Sequence, residues 1–463
     1  MLFDYQSQYS SGISFFSKEI DNYFIDYIPG KLNQLIITFE NADQPKKPRL
    51  DKMREAWGAT FLTRKGFSVL GIKPKKVDWY RGADLHNFFR SHNFKIFISS
   101  FQQVILYGSS MGGFAALTFA EACPNAIVVA FNPQSTLHAD LAPWETRYPE
   151  GTAQNWTGDF ADAYYGIKNA KKVYIAYDPL LDLDRKHVER LTGPNVTLFK
   201  MPLVGHIVMG WMGEAGILST FLDDAFAGTL TESQCQQLAR NRRKTARYYI
   251  VMGLRTRYTS VALACANKLL NFQHIPLHHQ RDFKALIFKH QLWKHILTDQ
   301  WKNKLISLEK TILFNILKEA SDHGFPNLAL AICNYVIEQK KISWQILTLA
   351  AECQHRLGNL SAGKKLAYQA IKESPSTGNC YRILARILHD MGDLLEAVKA
   401  ATEGVHVDPN SPLGWKDLAT YYKELGQLQP ALESAKQAHN LVPYDKSVTI
   451  LIDSITKLIT SEK

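Results

Sequence analysis

The chain of 463 residues is long enough for two or three domains, and 46% hydrophobic with 21% charged residues excludes a disordered or fibrous polymer. It has no apolar run of 18 residues, so no transmembrane helix is expected, and Met1-Leu2-Phe3-Asp4-Tyr5 lacks the basic-then-apolar order of a signal peptide. The formal net charge of +11 suits an anionic partner as well as a plain solvated basic surface.

The densest basic cluster is Arg240, Arg242, Arg243, Lys244 and Arg247, beside Tyr248 and Tyr249. No nucleic-acid-binding motif accompanies it, so nucleic acid is not an expected partner. Six cysteines (Cys123, Cys235, Cys265, Cys333, Cys353, Cys380) are scattered without a C-x-x-C pair. They read as reduced thiols of a cytoplasmic protein, with no zinc site and no cofactor.

Residues 1–33 alternate aromatic and polar positions up to the turn Pro29-Gly30, which predicts one or two antiparallel edge strands. Leu35-Ile36-Ile37-Thr38-Phe39 is a buried strand, followed by a loop opening with Glu40-Asn41-Ala42-Asp43. A helix over about 52–65 and the strand Phe67–Ile72 come next. Trp79-Tyr80 then sits in a loop, and Asp84 is placed to cap a helix to Arg90.

The run Val104-Ile105-Leu106-Tyr107-Gly108-Ser109-Ser110-Met111-Gly112-Gly113-Phe114-Ala115-Ala116-Leu117 is an apolar strand, Gly-x-Ser-x-Gly, and a helix former. That is the strand–turn–helix context of a nucleophile elbow. Gly108 and Gly112 lack a Cβ, which lets strand and helix approach around Ser110. The backbone N–H of Met111 then lies at a helix N-terminus, where a developing oxyanion is favoured. The bland alternative is a Gly-rich turn without chemistry.

After the strand Ala126–Phe131, the loop-rich stretch from Asn132 to Lys168 carries Pro133, Pro143, Trp144, Pro149 and Trp156. It reads equally as a lid or substrate wall and as local packing. The strand Val173–Tyr177 ends at Asp178. A helix over about 184–191 leads to the strand Val196–Met201, then Val204-Gly205-His206, then a helix from about Gly213 to Ala227. This alternation specifies a doubly wound, mostly parallel sheet with helices on both faces. Chemistry in such sheets gathers beyond the carboxyl ends of the strands, where Ser110, Asp178 and His206 all fall.

A serine hydroxyl needs an imidazole to take its proton and a carboxylate to orient that imidazole. His206 is the candidate base. Three carboxylates compete for the third role in Asp178-Pro179-Leu180-Leu181-Asp182-Leu183-Asp184. Asp178, nearest the strand end, is favoured. Asp182 comes second, and Asp184 sits where a helix N-cap is needed. A second oxyanion donor is expected from the backbone after Phe39, at Glu40 or Asn41; the His-Gly pair often found there is missing.

Residues 30–227 resemble the α/β-hydrolase superfamily in motif, order and length. The likeness is to bacterial hydrolase-like domains with Trp-Tyr in the early loop and Asp-Pro at the acid strand. The resemblance implies a serine hydrolase of ester or thioester bonds, with Ser110, Asp178 and His206 as nucleophile, acid and base. The superfamily also holds peptidases, lipases, dehalogenases and inactive members, so no substrate follows from it.

From about 230 onward strand signals stop. Gly358, Gly392 and Gly426 are 34 residues apart, as are Pro375, Pro409 and Pro443, then Ala351, Ala385 and Ala419, then Ala367, Ala401 and Ala435. This period over about 310–446 resembles tetratricopeptide (TPR) repeats. Tyr381 and Trp415 occupy the aromatic position of two units. Gly324 and Ala329 mark a degenerate unit over about 310–341, and Ser447–Ile455 a capping helix. The expected organisation is a hydrolase-like domain (1–229), a helical connector (230–309) and the repeats with their cap (310–463). The resemblance implies a groove for peptides or proteins; the plain alternative is packing on the first domain or homo-oligomerisation. The leading expectation is a serine hydrolase making an acyl-enzyme from an ester or thioester, such as an acylated glycan or lipid intermediate. Its rival is a catalytically silent scaffold whose repeats recruit partners.

Overall fold

The computed structural model describes residues 2–43, 45, 47–269, 272, 275, 277–339 and 343–461. They pack as two units, Met1–Val251 and Met252–Lys463. The boundary falls inside the stretch expected as a connector: Glu232–Arg240 packs against the last strand of the first unit. Arg242 there donates to the carbonyl of Pro202, and Arg247 pairs with Glu214 at 3.3 Å, so part of the basic cluster is engaged within the unit.

The first unit is built on a nine-stranded sheet of order β1-β2-β3-β5-β4-β6-β7-β8-β9. The strands are β1 (Tyr5–Gln8), β2 (Ser14–Ile20), β3 (Tyr23–Ile28), β4 (Gln34–Phe39), β5 (Ser68–Pro74), β6 (Gln103–Ser109), β7 (Ile127–Phe131), β8 (Lys172–Tyr177) and β9 (Val196–Lys200). Three antiparallel strands, rather than one or two, form one side. β1 has mostly exposed, polar residues and no apolar alternation to announce it. From β5 to β9 neighbouring strands are parallel. After β4 the chain adds β5 on one side and then β6 on the other, so the order reverses beside β4. Ligand sites of parallel sheets open at such a reversal, beyond the carboxyl ends of the strands.

β4, β6 and β7 are apolar along nearly their whole length because both faces are covered. Phe39 stacks on Phe119, and Phe119 on Phe89, in the layer beside the central strands. Several expected helices differ in extent. The one expected over 52–65 is only Ala59–Arg64, after a left-handed Gly58. Asp84 does not cap its helix, which begins at Ala83 after Gly82; its carboxylate accepts from the backbone N–H of Asn22. The helix expected after His206 is two, Val208–Glu214 and Leu218–Phe226, broken at Gly216 with φ 68°.

The second unit ends in antiparallel helix pairs with the expected spacing. They are Lys310–Asp322 with Pro326–Glu338, Trp344–Arg356 with Leu360–Glu373, Gly378–Asp390 with Leu394–Val407, and Pro412–Glu424 with Leu428–Leu441, followed by Lys446–Ser461. The end expected for the degenerate unit, at 340 and 341, lies outside the described residues. Gly324, Gly358, Gly392 and Gly426 follow the first helix of each pair with φ of 90°, 79°, 81° and 71°. Those values need a residue without Cβ strain. Ala351, Ala385 and Ala419 are fully buried, and so is Ala435, where the paired helices cross. Tyr381 and Trp415 donate to the carbonyls of Pro375 and Pro409. Each aromatic thus fastens a helix to the turn before it. These are TPR-like helical repeats. No helix among the described residues is long and apolar enough to cross a membrane.

Candidate active site

Ser110 stands between the end of β6 and the helix Met111–Thr118 with φ 53° and ψ −120°. This is a strained conformation for a residue with a Cβ. The strain is held from both sides. Ser110 N–H donates to Phe131 O of β7 at 2.8 Å, and Ser110 O accepts from Phe114 N–H at 2.9 Å. A Cβ on Gly108 would collide with the backbone of Gly112, and one on Gly112 with the carbonyl oxygen of Phe39. The two glycines therefore let strand, helix and the end of β4 close around the serine.

His206 reaches the same point from the loop after β9. Its Nε2 lies 3.0 Å from Ser110 Oγ and its Nδ1 lies 2.7 Å from Asp184 Oδ2. The carboxylate assigns the proton to Nδ1, which leaves the Nε2 lone pair facing the hydroxyl. The loop is fixed by Asn132, whose side-chain amide donates to His206 O at 2.7 Å, and it turns through a left-handed Gly205.

The carboxylate on His206 is thus Asp184, not Asp178 or Asp182. Asp178 is fully buried at the end of β8, but backbone N–H groups take both of its oxygens: Leu180 at 2.8 Å and Gly205 at 2.7 Å. It closes its own turn and anchors the histidine loop. Asp182, 58% exposed, pairs with Arg185 and with Lys186 on its own helix. That helix begins at Asp182, two residues earlier than expected, so Asp184 is not an N-cap. It sits in the first turn, buried and aimed at the imidazole.

Behind Asp184 runs a chain of buried and half-buried polar groups that the sequence did not single out. Arg147 Nη1 donates to Asp184 Oδ1 at 2.7 Å, while its Nε and Nη2 grip Glu145. Glu145 also accepts from His187 Nε2 at 3.1 Å. The donor is Nε2 because His187 Nδ1 accepts the backbone N–H of Ser135 at 3.2 Å. Burial alone would raise the Glu145 carboxyl, but the hydrogen bonds from His187 and Arg147 and the Arg147 charge bring it down to about 2. Arg147 therefore bridges the carboxylates of Glu145 and Asp184 and fixes the position of Asp184.

Tyr148, in the loop-rich stretch after β7, hangs over the serine. Its hydroxyl is 3.2 Å from His206 Nε2, and its ring packs on Trp79 at 5.1 Å between centroids. Burial, together with the Asp184 and Glu145 charges and against the Arg147 charge, pushes its phenol up to about 12. Trp79 and Tyr80 both have left-handed backbones, φ 51° and 57°, and are buried. Tyr80 OH donates to Glu40 O at 2.9 Å and Arg49 donates to Asn41 O at 2.9 Å, so the segment after β4 is pinned beside the elbow helix. Met111 opens that helix, whose first-turn N–H groups have no intrahelical acceptor. Among the described residues no group of His, Cys, Asp and Glu is arranged to hold a metal ion.

No family model and no curated protein matches the chain. Solved structures of helical repeats do. The first TPR domain of Spaghetti (RPAP3) bound to the HSP90 peptide SRMEEVD is 11% identical, covering 26% of this chain and 96% of that one, with a TM-score of 0.25. The Sgt2 TPR domain from Aspergillus fumigatus is 15% identical over 26% of this chain and 80% of its own, TM-score 0.25. MamA is 16% identical over 36% of this chain and 95% of its own, TM-score 0.30.

Proposed function

We propose that the first unit is a serine hydrolase of the α/β-hydrolase type, acting on ester or thioester bonds, and that the repeats dock a protein or peptide partner. The observation that carries the reading is the line Ser110 Oγ–His206 Nε2 and His206 Nδ1–Asp184, with 3.0 and 2.7 Å between its members. In this mechanism His206 takes the Ser110 proton as Oγ attacks the acyl carbonyl, and Asp184 stabilises the imidazolium. The backbone N–H of Met111 receives the oxyanion, with a second N–H from Glu40 or Asn41. The imidazolium then protonates the leaving group, and water attacks the acyl-enzyme by the reverse path. The six free thiols, all buried, suit a reducing compartment.

The repeats favour a second reading, a scaffold in which the elbow is silent and docking is the whole function. One experiment separates the two. Labelling by a fluorophosphonate probe that disappears in Ser110→Ala, with the variant still folded, supports the hydrolase. A wild-type chain that neither takes the label nor turns over short p-nitrophenyl esters leaves the scaffold.

A further inference from the structure

Two hydroxyls face one acceptor in this site. Ser110 Oγ and Tyr148 OH lie 3.0 and 3.2 Å from the same His206 Nε2, which has a single lone pair. The position of Tyr148 is built. Trp79 Nε1–H donates to Gln134 Oε1 at 3.4 Å, which orients that buried amide so that its NH2 donates to Tyr148 OH, also at 3.4 Å. Because the phenol oxygen accepts from Gln134, its own hydrogen is directed toward the serine and histidine. The ring is held between Trp79 and the Arg147 guanidinium, 5.0 Å from the ring centre.

During acylation Nε2 becomes a donor, and the leaving atom must come within hydrogen-bond reach of it. The space beside Nε2 is bounded on one side by Tyr148 OH. On the hydrolase reading, we propose that Tyr148 is a further catalytic residue that hydrogen-bonds the leaving-group oxygen, and that the site is built for oxygen esters of unactivated alcohols rather than for thioesters. The electron and proton flow closes without it. The Oγ–acyl bond forms, the ester C–O bond breaks, and the Ser110 proton passes through His206 to the alkoxide. In deacylation a water proton returns through His206 to Ser110. Tyr148 keeps its proton throughout and lends only a hydrogen bond, as suits a phenol held at about 12. That bond matters most where negative charge on a poorly leaving oxygen is greatest. A sulfur leaving group, a weak acceptor, gains little from it.

The test is Tyr148→Phe, which keeps the ring against Trp79, assayed on acetyl esters of p-nitrophenol, phenol, trifluoroethanol and ethanol and on an acetyl thioester. A charge-assisted hydrogen bond predicts a loss in kcat/KM of about 10- to 100-fold for the ethyl ester. The expected loss is under about threefold for the p-nitrophenyl ester and the thioester, so the dependence on leaving-group basicity steepens. Fluorophosphonate labelling, in which fluoride leaves without a proton, should persist in the variant and shows that Ser110 and His206 remain assembled. An equal loss on every ester, or a loss as large on the thioester, overturns the role of Tyr148 and leaves the hydrolase standing. A wild-type chain inert to all esters and to the probe overturns the hydrolase reading and this role with it.

Discussion

Replacing Asp184 by asparagine changes almost no volume, yet both of its oxygens are acceptors that an amide cannot reproduce together. Oδ2 receives His206 Nδ1–H at 2.7 Å and Oδ1 receives Arg147 Nη1–H at 2.7 Å. If the amide oxygen turns to the guanidinium, its NH2 faces Nδ1. The imidazole then carries its proton on Nε2 and donates to Ser110 instead of accepting from it. If the oxygen turns to the imidazole, NH2 and guanidinium face each other as two buried donors, which costs about 1–3 kcal/mol. The fixed guanidinium charge favours the first arrangement, the wrong tautomer, and triads in that state lose on the order of 10⁴ in kcat. The assay is kcat/KM on a short ester, with fluorophosphonate labelling rate and melting temperature measured on the same samples. Two companions give the contrast. Asp178→Asn deprives either Leu180 N–H or Gly205 N–H of its acceptor. It should lower stability by about 1–3 kcal/mol while catalysis falls far less than in Asp184→Asn. Asp182→Ala, on the exposed side of the helix, should change either quantity little. If Asp184→Asn keeps its rate within threefold while Asp178→Asn loses a thousandfold, the tautomer reasoning is wrong.

Glu145 should make the first unit acid-labile. Its carboxyl lies at about 2 in the folded chain against an ordinary 4.5, so the stability it contributes is fully present above about 4.5 and is lost as pH falls from there toward 2. Thermal melts across that window should show the loss, and Glu145→Gln, less stable at neutral pH, should flatten the dependence; parallel curves would count against it. Gly392→Ala meets no atom within 4 Å of the new Cβ, so only the left-handed φ of 81° opposes it. It should destabilise the helical unit by about 1–2 kcal/mol in melts followed by circular dichroism; an unchanged midpoint would refute the strain argument.

The repeats were legible because each structural demand falls on one residue type at one spacing. A left-handed turn selects glycine, a close helix crossing selects alanine, and a helix stop selects proline. The four left-handed glycines 324, 358, 392 and 426 lie on the expected column. The central parallel strands were legible for a similar reason. Burial on both faces leaves runs that are apolar but for a single buried residue, such as Leu35–Phe39 with its Thr38. β1 was not, because an exposed strand of Tyr5, Gln6, Ser7 and Gln8 is chosen by its neighbour β2 and not by its own pattern.

The site divides along the same line. The elbow at Ser110 is a backbone constraint written in five consecutive residues, and the crowding around Gly108 and Gly112 is its three-dimensional form. The carboxylate that meets His206 is a side-chain constraint met across space, and proximity to the strand end was the wrong guide to it. A carboxylate right at the end of β8 is close enough to be consumed by the turn it begins, as Asp178 is by Leu180 and Gly205. A carboxylate one turn into the following helix is clear of that turn and can point back at the imidazole. Arg147, Tyr148 and Glu145 lie in a segment with neither helical nor strand period, and only the partners they meet in the fold give them a place. An arginine three residues from Asp184 would have read as a local helix pair. An arginine 37 residues upstream that grips two buried carboxylates has no such local signature. This is why the elbow serine could be read from the chain, while the groups that set Asp184 in place had to be seen assembled.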